Sequence, residues 1–180
     1  MEQTSSPSKS ALQYGILFGV FMILEFVISY VMNIDPITNP TAGVIINVLN
    51  YLILPVTLIF IGCDNYKKKL NGGFISFGEC LKIGVSICFI AGLIYALFSV
   101  VFNMIFPEFT EEILKKTRQV MLKQNSSMTS EQLEMAMSMT KKFMSPVFVI
   151  PITLAMFSFI GLIHSLIIGA FVKNEKPQSF

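Results

Sequence analysis

Ionisable side chains inside long apolar stretches are weighed first, because a charge in lipid is costly and such residues mark proton, ion or substrate sites. Two meet that description, Glu25 and His164. Glu25 has candidate company in Asn47 and Asn50, whose i, i+3 spacing puts them on one helix face, and in Ser99. Two readings of Glu25, Asn47, Asn50 and Ser99 stay open. The plainer is interhelical glue, each hydrogen bond contributing about 0.6–2 kcal/mol. The sharper is a proton or small-solute site that opens on the outer side of the membrane. His164 has only Cys88, Ser86 and Thr57 within range of its expected depth and reads as a packing histidine.

Other chemistry has little material. There is no H-E-x-x-H, phosphate-binding glycine loop or dinucleotide fingerprint, and one histidine offers no Ser/His/Asp grouping. Cys63, Cys80 and Cys88 lack metal-ligand spacing, and three cysteines make no even-numbered disulfide framework. The run Met135-Ala136-Met137-Ser138-Met139 invites Cu(I), which thioethers select. On a helix, however, Met135 and Met139 share a face that Met137 opposes, with no histidine or cysteine beside them. No metal and no cofactor is expected, and the chain reads as non-enzymatic.

The elements that must carry these residues follow from composition. Of 180 residues, 53% are hydrophobic and only 13% charged, with a mean hydropathy of +0.68. A soluble domain averages about 25% charged residues, so too little polar surface remains to cover a globule. A net charge of +2 supplies no excess for nucleic acid, and none is expected as a partner. A membrane-spanning helix needs about 20 mostly apolar residues. Four stretches have them: 11–32 with Glu25 as its one charge, 43–62 with Pro55 inside, 83–106, and 145–172 with Pro146, Pro151 and His164. The first is longer than a signal-peptide core and lacks a small-residue cleavage site, so it reads as a retained anchor. The expected fold class is all-α: an integral-membrane four-helix bundle with a helical hairpin between spans three and four, in contact with the lipid bilayer.

Basic residues orient it. Segment 33–42 has none, whereas 63–82 carries Lys67, Lys68, Lys69 and Lys82. That puts 63–82 and both tails, 1–10 and 173–180, in the cytoplasm, with Lys9, Lys173 and Lys176 agreeing. Segment 107–144 then lies outside, its six basic residues offset by five acids. Tyr14, Tyr30 and Tyr66 fall at span ends, as interfacial anchors would. Seven residues separate Glu25 from Met32, which places the carboxyl about 10 Å below the outer boundary. His164 falls in the opposite leaflet, so the two do not pair.

The loops have local signatures. Asn71-Gly72-Gly73 is turn chemistry, and Ser76 with Glu79 forms a capping box that starts a helix at Phe77. After Pro107, Glu108, Glu111 and Glu112 open a helix that Lys115, Lys116, Arg118 and Lys123 load towards its C-terminus, favourable for the helix dipole. Asn125-Ser126-Ser127 breaks it; Thr129 and Gln132 cap a second, amphipathic helix with Leu133, Met137 and Met144 on its apolar side. Small residues mark close helix contacts: Gly15/Gly19, Gly92/Ala96, and the stripe Gly161, Ser165, Gly169. The last could close the bundle or join two copies as a homodimer.

With these residues in place, the chain resembles domain-of-unknown-function family 4199, small four-span membrane proteins mainly from Bacteroidota. The resemblance rests on Gly72-Gly73-Phe74-Ile75-Ser76-Phe77-Gly78-Glu79 running into Lys82-Ile83-Gly84, on Pro107-Glu108, and on Phe143-Met144-Ser145-Pro146. It implies a Gram-negative inner membrane and a periplasmic hairpin, and brings no catalytic residue. The leading expectation is an inner-membrane protein whose hairpin contacts a membrane or periplasmic partner, or the lipid surface. The alternative is a small transporter or proton-coupled channel centred on Glu25.

Overall fold

The computed structural model describes residues 6–125 and 127–175. Ser126 of the expected helix break and Lys176 lie outside the described residues. Among the described residues six helices follow one another: α1 Pro7–Val31, α2 Pro40–Leu70, α3 Phe77–Ile105, α4 Pro107–Gln124, α5 Ser130–Phe143 and α6 Pro146–Val172. The fold class is all-α, as expected. Helices α1, α2, α3 and α6 are long and apolar enough to cross a membrane. Their outward faces present Leu17, Phe21, Leu24, Phe60, Leu97, Phe159 and Phe171, an apolar belt that lipid would cover.

Local chemistry sets the helix ends, two of them beyond the apolar stretches. α1 starts at Pro7, upstream of residue 11, because Ser6 Oγ accepts the Lys9 N–H at 3.2 Å and Pro7 suits the first helical position. α2 starts at Pro40 under an Asn39 cap. It holds two π-helical turns, Leu49–Ile53 and Tyr66–Leu70, and the second carries it past Gly62 to Leu70, so the expected loop 63–82 shrinks to a short turn. In that turn Gly72 and Gly73 take φ of +60° and +90°. The Ser76/Glu79 and Thr129/Gln132 capping boxes both form.

α3 is the central helix, and its contacts with α6 define the bundle. The two run antiparallel, with Cys80 facing Gly169, Gly84 facing Ser165, Cys88 facing Gly161 and Gly92 facing Phe157. The pairing advances four residues at a time on each helix, the repeat that keeps one face in contact. The approach is close enough that a Cβ on Gly84 would sit 2.5 Å from Ser165 Cβ, and one on Gly161 2.7 Å from the Gly84 carbonyl oxygen. α1 lies parallel to α3, with Gly15 against Ile90 and Gly19 against Ile94. The stripe Gly161, Ser165, Gly169 is thus buried inside one chain against α3.

The lysine-rich end is tied by backbone. Ile75 and Asn174 exchange N–H···O bonds of 2.9 and 2.8 Å, and Lys67 Nζ donates to the Val172 carbonyl. Tyr14 and Tyr66, expected at the interface, turn inward instead. Asn65 Nδ2 donates to Tyr14 Oη at 2.6 Å, and Tyr66 Oη donates to Glu79 Oε1 at 2.9 Å. His164 Nδ1 meets the Ile160 carbonyl of its own helix at 2.8 Å, in keeping with a packing role.

The seam yields a paired test. Gly84→Val should wedge α3 from α6 and lower stability by about 1–3 kcal/mol, read as an earlier unfolding midpoint in detergent. Gly78→Ala, in the first turn of the same helix with open space beyond its Cα, should leave that midpoint unchanged or slightly higher. Equal midpoints for Gly84→Val and wild type would refute the seam.

Candidate functional site

At the end of the bundle remote from Lys67–Lys69, the spans part around a cavity of about 530 Å³. α1 contributes Glu25, with Met22, Phe26, Ser29 and Tyr30 recurring at helical spacing on the same side. α2 contributes Asn47, Asn50 and Tyr51. The last two lie in the first π turn, where the Leu54 N–H reaches back five residues to the Leu49 carbonyl. Pro55, which has no N–H to offer Tyr51, follows directly. The π turn carries one residue more than α-helical pitch and sets Asn50 inward, where its side chain is buried against α1.

Glu25 and Asn50 form the centre of the site. Asn50 Nδ2 donates to Glu25 Oε2 at 2.5 Å across the bundle. The other two acceptors of this pair, Glu25 Oε1 and Asn50 Oδ1, are buried and have no hydrogen-bond partner. No described lysine or arginine forms an ion pair with Glu25. An acceptor left so costs about 1–3 kcal/mol. The cavity side of α3 supplies Tyr95, Ser99 and Asn103.

Two of the four residues expected to cluster do so only loosely. Asn47 and Ser99 line the cavity with Glu25 and Asn50 but make no hydrogen bond to the carboxyl. Ser99 belongs to a second chain of bonds. Asn103 Nδ2 donates to the Ser99 carbonyl at 2.7 Å, and Thr110 Oγ1 on α4 donates to Asn103 Oδ1 at 2.6 Å. That chain holds α4 to α3. Asn103 is one helical turn beyond Ser99, a spacing that marks it in the sequence once Ser99 is suspected.

α4 roofs the cavity with Phe109, Glu112, Ile113 and Lys116. Two further contacts hold the roof down. One is aromatic: Phe109 meets Phe26, Tyr30 and Phe102 edge-on at 5.5, 5.6 and 5.2 Å between ring centres, the geometry favoured by ring quadrupoles. The other is ionic: Lys116 Nζ lies 3.1 Å from Asp35 Oδ2 in the loop between α1 and α2, and 2.6 Å from Glu112 Oε1. Nothing local in the sequence marks Asp35 and Lys116 as partners, since they meet only across the fold.

Partial burial pushes the Asp35 carboxyl up, but the Thr38 hydroxyl, the Ile37 N–H and Lys116 together hold it below the usual carboxylate range. Hydrogen bonds to Glu112 and then Asp35 raise Lys116 above an ordinary lysine.

The amphipathic helix α5 folds back on α4 through Arg118–Glu134 at 2.6 Å. Its expected interaction face points into the protein: Leu133 is buried, Met137 half-buried, and Met144 lines the cavity. Exposed instead are Met135, Met139 and Phe143. Among the described residues no group of three or more His, Cys, Asp or Glu is placed to hold a metal ion.

A family model described as "Protein of unknown function (DUF4199)" matches residues 13–174. The chain belongs to this family. The match takes in most of α1, the other three spans, the hairpin and every cavity residue named above. No curated protein and no solved structure matches the chain.

The ionic latch has a definite pH sign. Because the Asp35 carboxyl is lowered in the folded state, its contribution is complete above the ordinary carboxylate range, about pH 4, and is lost as pH falls through its own lower value. Asp35→Asn should therefore speed amide hydrogen exchange in α4 at neutral pH and make no difference in strong acid. Exchange in α4 that is unchanged by Asp35→Asn at neutral pH would remove the latch from the account.

Proposed function

We propose that this is a non-enzymatic integral membrane protein that admits a small solute or protons to an intramembrane site centred on Glu25, covered by the α4–α5 hairpin. The observation that carries this reading is the pair of unpartnered oxygens, Glu25 Oε1 and Asn50 Oδ1, buried on two residues that line a cavity large enough for a small molecule. Interhelical glue is the competing account of the same pair. Glue works by giving each polar group a partner, and this pair leaves two acceptors without donors. A transported proton or solute would supply the missing donor and leave again, which a permanent structural bond does not require.

The covering hairpin suits the same reading. Among the described residues its ties to the spans include an aromatic cluster around Phe109, a side-chain chain through Asn103, the Asp35–Lys116 pair and the Phe143–Phe148 ring contact. Elements that open for entry are drawn from the lightly held parts of a fold. A second reading, that the hairpin meets a partner protein or the lipid surface, is favoured by the exposed Met135, Met139 and Phe143 on α5. The two readings are compatible, since the roof has an inner and an outer side. By the lysine asymmetry we put Lys67–Lys69 and both termini in the cytoplasm and the hairpin beyond a Gram-negative inner membrane.

Two measurements check this. Wild-type protein in liposomes should pass protons or small ions, and Glu25→Gln should reduce that flux to the level of empty liposomes; equal flux for both sinks the transport reading. Topology is read by single added cysteines, because Cys63, Cys80 and Cys88 are all buried. A cysteine at Asn125 should react with an impermeant thiol reagent once the outer membrane is permeabilised, and one at Lys68 should not. The reverse pattern would invert the orientation.

A further inference from the structure

We infer that the cavity above Glu25 is a binding site for a small organic ammonium ion, one that carries N–H hydrogens and an apolar body. The inference rests on the transport reading and narrows its solute to one chemical class.

Charge sign comes first. The ionisable carboxylates and amines that line the cavity are Glu25, Asp35 and Glu112 against Lys116 alone. Lys116 is engaged by Asp35 and Glu112, so it is not free to meet an anion. At the floor, Glu25 has no basic partner among the described residues. A carboxylate in a low-dielectric surrounding favours a cation, and an anion would meet net repulsion from floor to mouth.

Hydrogen-bond polarity comes next. Glu25 Oε1 and Asn50 Oδ1 are both acceptors, both buried and both without donors. A ligand that satisfies them must donate, and a primary ammonium has three N–H groups to divide between a carboxylate and a carboxamide oxygen. A quaternary ammonium has none. As the cavity stands the two oxygens are closed to water, so the ammonium would enter by parting the Glu25–Asn50 hydrogen bond and taking its place.

The walls choose an organic cation over a metal ion. Phe26, Tyr30, Tyr51, Tyr95, Phe109 and Phe157 surround the space, and aromatic faces attract ammonium groups and cover apolar substituents. Metal ions of the calcium or magnesium kind need several oxygen ligands in a shell. A single carboxylate at the floor, with Asp35 and Glu112 already bound to Lys116, does not provide one. A volume of about 530 Å³ is that of a site for a small organic molecule.

The test uses the full chain in nanodiscs and four probes that share a phenylethyl body: 2-phenylethylammonium, its N,N,N-trimethyl analogue, 2-phenylethanol and 3-phenylpropionate. Isothermal titration should find the primary ammonium bound about tenfold tighter than the trimethyl analogue, with the alcohol and the carboxylate weaker still; tenfold corresponds to one charge-assisted hydrogen bond. Glu25→Gln should abolish the preference for the cation, and Asn50→Leu should weaken the primary ammonium while sparing the trimethyl analogue. Equal affinity for the two ammonium probes, binding unaffected by Glu25→Gln, or no binding to folded wild type each overturns the inference. Should Glu25→Gln fail to fold, the four probes on wild type decide the matter alone. Proton or alkali-ion flux that depends on Glu25, without ammonium binding, would defeat this inference and leave the broader transport reading standing. Failure of both would defeat both.

Discussion

Helices in a lipid environment gain little from burying leucine against leucine, because lipid tails are as apolar as the side chains they replace. What holds them is close contact, and close contact needs small residues. The α3–α6 seam supplies it, with Cys80, Gly84, Cys88 and Gly92 opposite Gly169, Ser165, Gly161 and Phe157. At this separation backbone atoms themselves are in van der Waals reach, as the Gly161–Gly84 approach makes plain. Many weak dispersion contacts then add up along the two helices. α1 rides on the same central helix through Gly15 and Gly19, so the position of Glu25 is fixed indirectly by that seam.

The other end of the bundle is built differently. Where α3 and α6 are zipped by small residues, the hairpin end is filled by large rings and by polar pairs that reach across the fold. Phe109 of the hairpin sits among Phe26, Tyr30 and Phe102, and Lys116 bridges Asp35 and Glu112. Large rings leave room between helices that glycines would have closed. The cavity is the consequence: tight packing at one end and aromatic spacers at the other leave a space above Glu25. The π turn at Leu49–Ile53 then aims Asn50 at that carboxyl.

Much of this was legible in the residues. The four spans, the hairpin, the Ser76/Glu79 and Thr129/Gln132 caps and the small-residue stripe of Gly161, Ser165 and Gly169 are local patterns, and local patterns survive folding when the medium does not compete with them. Glu25 and Asn50 were also visible, because one charge in an apolar span stands out and depth along a helix can be counted. Less was legible where partners lie far apart in sequence. Asn47 and Ser99 share the depth of Glu25 but not its bond, since depth alone does not give rotation about the helix axis. The π turn shifts that rotation by a residue and is not announced by any residue type. Leu133 and Met144 were correctly apolar, but whether an amphipathic face meets its own protein or something else depends on where the hairpin lies.

The amino-acid sequence alone determined the class of protein and its plan: an apolar, sparsely charged chain with four spans, one amphipathic hairpin and one carboxylate inside a span. It could do so because hydropathy, capping and helical periodicity act over a few turns. Tertiary structure alone decided that α3 is the centre, that the hairpin roofs a cavity through Asp35 and Lys116, and that Glu25 and Asn50 meet with two acceptors left over. Those facts depend on helix rotation and on contacts between distant segments, which no local pattern of residues encodes.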